Sequence, residues 1–250
     1  MMLNKKIILF CFIVLLSCKS NNKKFFYNYH DPKFSCNSSI NYKNDEWLVR
    51  EYFPIWEKFK QQYNIENSKI VKADVVIVGN SLVHLYPPEF LKNEFPNIEI
   101  SLRGILGEIT DLTIVRIKEN VLSLNPKMVV IEIGGNDLIQ GRCLSDIEKN
   151  IIKIIDIVHE YNSNIVIILT SLPPTGNFEL NSISPIVNLF LMTQSQKQKK
   201  VYFIDLWAEM REHDKPIIKP EFTIPRDKIH FNINGYILWT KLLKPYISKL

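Results

Sequence analysis

Several features are missing from this chain, and each absence excludes a class of protein. The 31 basic residues barely outnumber the 26 acidic ones, and the only dense basic cluster is Lys197–Lys200, which we interpret as a solvated helix end. This balance is too small to indicate nucleic-acid binding. The longest apolar run, Ile7–Leu16, is too short to span a bilayer as a helix. The four cysteines have no spacing typical of structural zinc sites. There is no internal repeat, so 250 residues with 46% hydrophobic content predict one globular domain of roughly 200 residues.

The first 17 residues have the three parts of an export signal: Lys5-Lys6, the apolar run and a Leu-Leu-Ser-Cys exit. Leu15–Cys18 resembles a bacterial lipobox, which predicts that Cys18 is lipidated and that the chain is a membrane-anchored lipoprotein of the cell envelope. Plain secretion is the alternative. We therefore divide the chain into a signal peptide (residues 1–17), a lipidated cysteine and tether (18–45) and a folded domain (46–250). Cys36 and Cys143 could form a disulfide, but the sequence does not show whether they are close.

Strand and helix patterns alternate along the domain. Five apolar segments predict strands, namely 73–78, 97–102, 127–133, 164–170 and 201–205. Amphipathic segments between and around them predict helices at 45–63, 82–91, 108–124, 145–161, 185–199 and 234–250. This alternation is typical of an α/β fold with a mostly parallel sheet.

Polar residues suited to acyl transfer follow these strands. Ser81 comes directly after the first strand and could attack a carbonyl if a base took its proton. Asp227 and His230 are three residues apart, so the carboxylate can orient the imidazole. Gly104 and Ser81 could offer backbone N–H groups to an oxyanion, and Asn136 could offer its side-chain amide.

Each of these residues also has a purely structural explanation. Ser81 could be a helix cap, the glycines around Asn136 could form an ordinary turn, and Asp227 and His230 could belong to a surface turn. His84 lies three residues after Ser81 and is a rival for the role of base.

The combined pattern resembles the SGNH (GDSL-type) hydrolases. The family's Gly-Asp-Ser-Leu block is matched by Gly79-Asn80-Ser81-Leu82, with Asn80 in place of Asp, a residue that is not itself catalytic in the family. The second-block glycine is matched by Gly104, although Leu102 stands where many members have Asn. Gly134–Asp137 matches Gly-x-Asn-Asp, and Asp227–His230 matches Asp-x-x-His. The Gly-x-Ser-x-Gly elbow of ordinary α/β-hydrolases is absent.

The resemblance implies a three-layer α/β/α sandwich of flavodoxin-like type that hydrolyses esters with a serine nucleophile and without metal or cofactor. It implies Ser81, Asp227 and His230 as the catalytic residues, and Ser81, Gly104 and Asn136 as the oxyanion hole. The first and third blocks are most similar to the platelet-activating-factor acetylhydrolase-like branch. We therefore expect a membrane-tethered esterase that removes an acetyl or other short acyl group from a carbohydrate or lipid, with no nucleic-acid partner. An O-acyltransferase on the same scaffold and a non-catalytic binding lipoprotein are the alternatives.

Overall fold

The computed structural model describes residues 27–37 and 48–250. The predicted signal peptide and the predicted lipidation site Cys18 lie outside the described residues. No helix in the described part of the chain is long and apolar enough to cross a membrane.

A five-stranded sheet forms the centre of the molecule, and all its strands are parallel. Their spatial order is β2-β1-β3-β4-β5, the order of flavodoxin-like folds. The five strands are β1 Val75–Gly79, β2 Ile100–Gly104, β3 Met128–Glu132, β4 Val166–Thr170 and β5 Val201–Ile204. All residues of β1 and β3 are buried, as expected for strands covered by helices on both faces. The predicted fold class is confirmed.

Helices cover both faces of this sheet and complete a three-layer sandwich. The α-helices are α1 Phe53–Asn67, α2 Ser81–His84, α3 Pro88–Glu94, α4 Thr110–Asn120, α5 Gly135–Ile139, α6 Leu144–Tyr161, α7 Phe178–Lys197, α8 Leu206–Met210 and α9 Ile233–Ile247. A π-helical turn, Leu48–Tyr52, precedes α1, and short 3₁₀ turns occur at Leu122–Leu124 and Pro220–Phe222. Apolar side chains of α4, α6 and α7 pack on one face of the sheet, and those of α2, α3, α8 and α9 pack on the other.

Several elements differ from the sequence predictions, and two of the differences involve proline. The helix predicted at 82–91 is two short helices, because Pro88 begins α3 and the chain turns at Leu85–Pro87. The helix predicted to begin at Pro185 begins at Phe178 instead, and Pro185 lies inside it. The segment around Asp227 was predicted as a loop, but it forms strand β7 (Asp227–Phe231), antiparallel to β6 (Thr223–Ile224).

Residues 27–37 fall within the predicted tether, and in the structure they lie against the domain. Cys36 and Cys143 form a disulfide across 107 residues. The Tyr29 hydroxyl donates a 2.7 Å hydrogen bond to the Arg142 carbonyl, and the Asn37 N–H donates one of 2.9 Å to the Gly141 carbonyl. We call residues 27–37 the N-terminal strap.

Candidate active site

The predicted catalytic residues meet at the carboxyl ends of the central strands. Ser81 follows β1, and Asn136 lies in α5 directly after β3. Because β1 is flanked by β2 on one side and β3 on the other, the strand order reverses here. Ligands of open α/β sheets bind at such a reversal point.

A chain of two hydrogen bonds joins Ser81, His230 and Asp227. The Ser81 Oγ lies 2.8 Å from Nε2 of His230, and Nδ1 of the same ring lies 2.8 Å from Oδ2 of Asp227. With a proton on Nδ1, the imidazole donates to the carboxylate and accepts the serine proton at Nε2. The structure thus brings together the three residues that the sequence proposed as nucleophile, base and orienting acid.

The Asp227 carboxylate is held in its ionised form. Burial by itself would raise its pKa, but hydrogen bonds from the His230 ring and from the backbone N–H groups of His230 and Ile229 outweigh burial and lower the pKa. Oδ1 accepts the two backbone N–H groups at 2.8 and 3.0 Å, which leaves Oδ2 for the imidazole. The carboxylate can therefore stabilise a protonated His230.

His84, the rival base, is directed away from this chain of hydrogen bonds. Its Nδ1 lies 3.1 Å from the carbonyl oxygen of Gly104, and its ring packs edge-on against Phe59. Burial lowers the pKa of His84, with the hydrogen bond to Gly104 opposing this change. In this arrangement His84 supports the backbone near the nucleophile, while His230 contacts Ser81.

The turn that carries Ser81 is fixed by Asn80 and Glu132. The Asn80 side chain caps α2 by accepting a 2.9 Å hydrogen bond from the Leu82 N–H. The same side chain is hydrogen-bonded to the carboxyl group of Glu132, the last residue of β3. Glu132 is completely buried, and burial raises its pKa to about 8 against the opposing effect of Asn80, so the carboxyl is protonated at neutral pH. Sequence analysis gave Glu132 no role, although an acid at the end of an apolar strand was visible.

Gly104 is in van der Waals contact with the backbone of this turn. A Cβ at this position would lie 2.1 Å from the backbone nitrogen of His84 and 2.6 Å from the carbonyl carbon of Val83. Any side chain here would therefore push α2 away from β2. The Gly104 carbonyl also accepts hydrogen bonds from His84 and from the Tyr63 hydroxyl, which fixes the orientation of the peptide.

Asn136 lies in the lining of the cleft beside Ser81, at the turn after β3. Gly134 makes this turn with a φ of 115°, a conformation that favours glycine. The Asn136 amide donates a 3.0 Å hydrogen bond to the backbone carbonyl of Glu108. The Glu108 side chain forms a fully buried ion pair with Arg116, so the group that orients Asn136 is itself held rigidly.

Asp137, the last residue of the Gly-Gly-Asn-Asp segment, connects two loops of the site. Its carboxyl group accepts hydrogen bonds from the Thr110 backbone N–H at 3.1 Å and from the Thr110 hydroxyl at 2.6 Å. It is fully buried, and burial raises its pKa to about 7, with the Thr110 hydrogen bonds opposing the rise. Asp137 thus caps the start of α4 and holds α5 beside it, a role that sequence analysis did not assign.

A small cleft opens beside the Ser81 hydroxyl. Its lining includes Ser81, Asn136, Leu172, Pro173, Leu180 and Ile229, and its volume is about 40 Å³. One water needs at least about 10–15 Å³ by the same measure, so the cleft is small. Within the described ranges, no cluster of three or more His, Cys, Asp or Glu side chains could hold a metal ion.

Solved structures of similar fold include several bacterial hydrolases. A Streptococcus pneumonia protein provisionally assigned as a platelet activating factor is 23% identical, with a TM-score of 0.71 over 78% of this chain and 94% of its own. A GDSL-like lipase from Bacteroides thetaiotaomicron is 23% identical, with a TM-score of 0.66 over 76% of this chain and 97% of its own. An acetylxylan esterase from Geobacillus stearothermophilus is 17% identical, with a TM-score of 0.57 over 72% and 95% of the two chains.

No curated protein sequence matches the chain. The sequence model of the GDSL-like Lipase/Acylhydrolase family matches residues 77–238, which include Ser81, Gly104, Asn136, Asp227 and His230. The match spans most of the folded domain, and this domain has the fold of the solved structures described above. The chain therefore belongs to the GDSL-like lipase/acylhydrolase (SGNH) family and is a hydrolase of ester bonds.

Proposed function

We propose that the protein is a serine esterase that removes a short acyl group, such as acetyl, through an acyl-enzyme intermediate. The observation that carries this proposal is the hydrogen-bonded chain from Ser81 Oγ through His230 to Asp227. A serine hydroxyl is a weak nucleophile at neutral pH unless an oriented base takes its proton.

In the proposed mechanism, His230 Nε2 takes the proton of Ser81 while Oγ forms a bond to the ester carbonyl carbon. The tetrahedral intermediate collapses by breaking the bond to the alcohol oxygen, which leaves with the proton from His230. Water then attacks the acyl-Ser81 ester while His230 accepts its proton. The bond between the acyl carbon and Ser81 Oγ breaks, the carboxylic acid leaves, and His230 returns the proton to Oγ. Asp227 stays ionised throughout and stabilises the imidazolium.

The negative charge of the tetrahedral intermediate requires donors that are already in position. We assign these to the backbone N–H groups of Ser81 and Gly104 and to the Asn136 amide. The amide nitrogen carries two hydrogens, and the Glu108 carbonyl accepts one of them, so the second is available to an oxyanion.

The size of the cleft supports a short acyl group. A volume of about 40 Å³ is only a few times the minimum for one water, which favours a short acyl group such as acetyl. The fold similarity to an acetylxylan esterase agrees with this choice. A longer acyl chain would require Leu172 or Leu180 to move.

The test of this function is covalent labelling by a fluorophosphonate ester, followed by mapping of the modified residue. We expect the label on Ser81, and we expect acetyl-ester hydrolysis to be nearly abolished in Ser81→Ala and in His230→Ala. The double variant should be hardly less active than either single variant, because both residues serve one proton transfer. An unlabelled protein without turnover of any short-chain ester would contradict the proposal.

We also propose that the chain is exported and lipidated at Cys18. The Cys36–Cys143 disulfide supports export, because disulfides persist in oxidising compartments outside the cytosol. Cells that express the protein and take up a labelled fatty acid should incorporate it into the wild type and not into Cys18→Ala. Label in the variant, or a variant that still fractionates with membranes, would show that the anchor lies elsewhere.

A further inference from the structure

The outward face of α7 is unusually apolar for a helix on a protein surface. Four side chains on this face are exposed: Phe178 by 57%, Ile186 by 45%, Leu189 by 59% and Met192 by 37%. No charged residue occurs between Leu180 and Gln196. The opposite face packs into the core through other apolar residues. A helix that is apolar on both faces is normally covered on both.

We propose that this face of α7 lies on the lipid bilayer to which the chain is anchored. This inference rests on the proposed lipidation of Cys18, and it adds a second contact with the membrane that orients the catalytic domain.

The path of the N-terminal strap supports a bilayer on this side of the domain. The strap crosses α7, where His30 Nε2 lies 3.3 Å from the carbonyl oxygen of Ser182, an exposed residue between Phe178 and Ile186. Cys18 lies only nine positions before Tyr27, the first residue of the strap. Because an extended chain spans at most about 3.3–3.6 Å per residue, the anchor lies within about 32 Å of the strap.

The charges around this face fit an anionic lipid surface. The sequence between Cys18 and the strap contains Lys19, Lys23 and Lys24 and no acidic residue, and the strap itself contains Asp31 and Lys33. At the other end, α7 finishes with Lys197, and Lys199 follows, while Glu179 in the first turn is the one acidic residue of the helix. Basic residues near the bilayer are attracted to anionic headgroups. An apolar helix face bordered by lysines is typical of helices that lie in the membrane interface.

A second copy of this chain is a weaker candidate to cover the face. The four apolar side chains together expose roughly 400 Å², about half of what each partner buries in a standard protein interface. A membrane contact can be this small, because the attraction of basic residues to anionic headgroups adds to the burial of the apolar side chains.

Docking of this face would place the catalytic cleft about one helix diameter, roughly 10 Å, from the bilayer. Leu180 and Ser184, on the inner side of the first turns of α7, line the cleft beside Ser81. An ester carried by a membrane lipid, or by a glycan attached to one, would then be presented close to the nucleophile.

The experiment isolates the helix face from the anchor. The chain from residue 18, with Cys18→Ser so that it carries no lipid, is floated with vesicles of three parts phosphatidylethanolamine to one part phosphatidylglycerol. We expect measurable binding at low salt, reduced about tenfold in the triple variant Ile186→Gln, Leu189→Gln, Met192→Gln. The matched control is Ile65→Gln, Val115→Gln, Ile237→Gln, which alters three equally exposed apolar residues on other helices and should bind as the parent does.

Both triple variants should hydrolyse a soluble short-chain ester at the parental rate, which shows that they are folded. The proposal is overturned if the parent chain does not bind the vesicles or if the α7 variant binds as well as the control. It is also overturned if the parent is a dimer that only the α7 variant dissociates. Because the chain carries no lipid, these outcomes do not depend on whether Cys18 is acylated in cells, which the fatty-acid labelling decides separately.

Discussion

The imidazole of His230 lies between a hydroxyl and a carboxylate, and its tautomer decides whether it can act as a base. Asp227 Oδ2 accepts the proton on Nδ1, so Nε2 faces Ser81 with a lone pair. An amide at position 227 would keep the shape but could donate to Nδ1 and reverse the tautomer. We expect Asp227→Asn to lower kcat for a short-chain ester by about ten-thousand-fold, the loss known from serine proteases.

The control for this prediction is His84→Ala, measured with the same ester. His84 contacts the Gly104 carbonyl and Phe59, so its removal should cost far less activity than Asp227→Asn or His230→Ala. An inactive His84→Ala beside an active His230→Ala would reverse the assignment of the base.

Replacing Asn136 tests the contribution of one hydrogen-bond donor to the oxyanion hole. Asn136→Ala removes a donor that is useful mainly when the carbonyl oxygen becomes negative, so kcat should fall by roughly a hundred- to a thousand-fold with KM little changed. Steady-state kinetics on an acetyl ester separates the two constants. A raised KM with unchanged kcat would make Asn136 a substrate-binding residue instead.

Glu132 makes stability depend on pH. Its pKa is raised from 4.5 to about 8 in the folded state, so between these values the folded protein holds a proton that the unfolded chain has lost. The free energy of unfolding must therefore decrease as pH rises through this window and change no further above it. Glutamine has no proton to lose, so Glu132→Gln should be more stable than the wild type by a few kcal/mol at pH 8 and by little at pH 5.

Urea unfolding at a series of pH values measures this difference. Glu160→Gln, at an exposed position near the end of α6, is the matched control and should show almost no such trend. If the free energies of unfolding of the wild type and of Glu132→Gln changed in parallel from pH 5 to 8, Glu132 would already be ionised in the folded state.

At the scale of elements, the close approach of β2 and α2 can be tested with glycine substitutions. Gly104→Ala forces a Cβ into the backbone of α2, 2.1 Å from the His84 nitrogen, and should destabilise the protein severely and displace Ser81. Gly135→Ala is the contrasting variant, because nothing lies within 4 Å of its Cβ. Since alanine favours a helix over glycine, it should raise stability by about 0.5–1 kcal/mol.

Thermal unfolding of both variants checks this contrast. If Gly104→Ala is too unstable to purify, a lower yield of soluble protein than for Gly135→Ala under the same expression conditions shows that it is the less stable variant. Equal melting temperatures would show that α2 can shift away from β2 at little cost.

The sequence predicted the elements whose apolar pattern is continuous and missed those set by distant contacts. The buried strands were located to within a few residues because both faces of the sheet are covered. Strand β7 was missed, because three of its five residues carry polar side chains and its partner β6 has only two residues. The sequence predicted that this helix starts at Pro185. In the structure, Asn177 caps it eight residues earlier by accepting a hydrogen bond from the Leu180 N–H.

The residues of the site were predicted more accurately than the bounds of the helices and strands, because family motifs mark individual residues. The resemblance to the family motifs pointed to Ser81, Asp227 and His230, and the structure joins them by hydrogen bonds. The supporting residues could not be named in this way. Glu132 and Asn80 are 52 positions apart in the sequence, and only the pairing of β1 with β3 brings them into contact.

At the scale of the whole molecule, the Cys36–Cys143 disulfide holds the N-terminal strap to the catalytic domain. It closes a loop of 107 residues, and in the chain-entropy account a loop of about 100 residues stabilises the folded state by about 4–5 kcal/mol. Replacing both cysteines by serine should therefore lower the melting temperature by roughly 10 °C or more. Wild-type protein treated with dithiothreitol should melt at the same temperature as the double variant.

Catalysis should survive this change below the melting temperature. The strap contacts the loop at Gly141–Cys143, but Asn136 is oriented by the Glu108 carbonyl and Asp137 by Thr110, and neither contact involves the strap. Because these hydrogen bonds lie within the domain, kcat for a short-chain ester at 20 °C should stay within about twofold of the wild type, even though unfolding occurs at lower urea. A kcat that falls in step with stability would instead show that the strap shapes the cleft, and reduction of the disulfide would then control the enzyme.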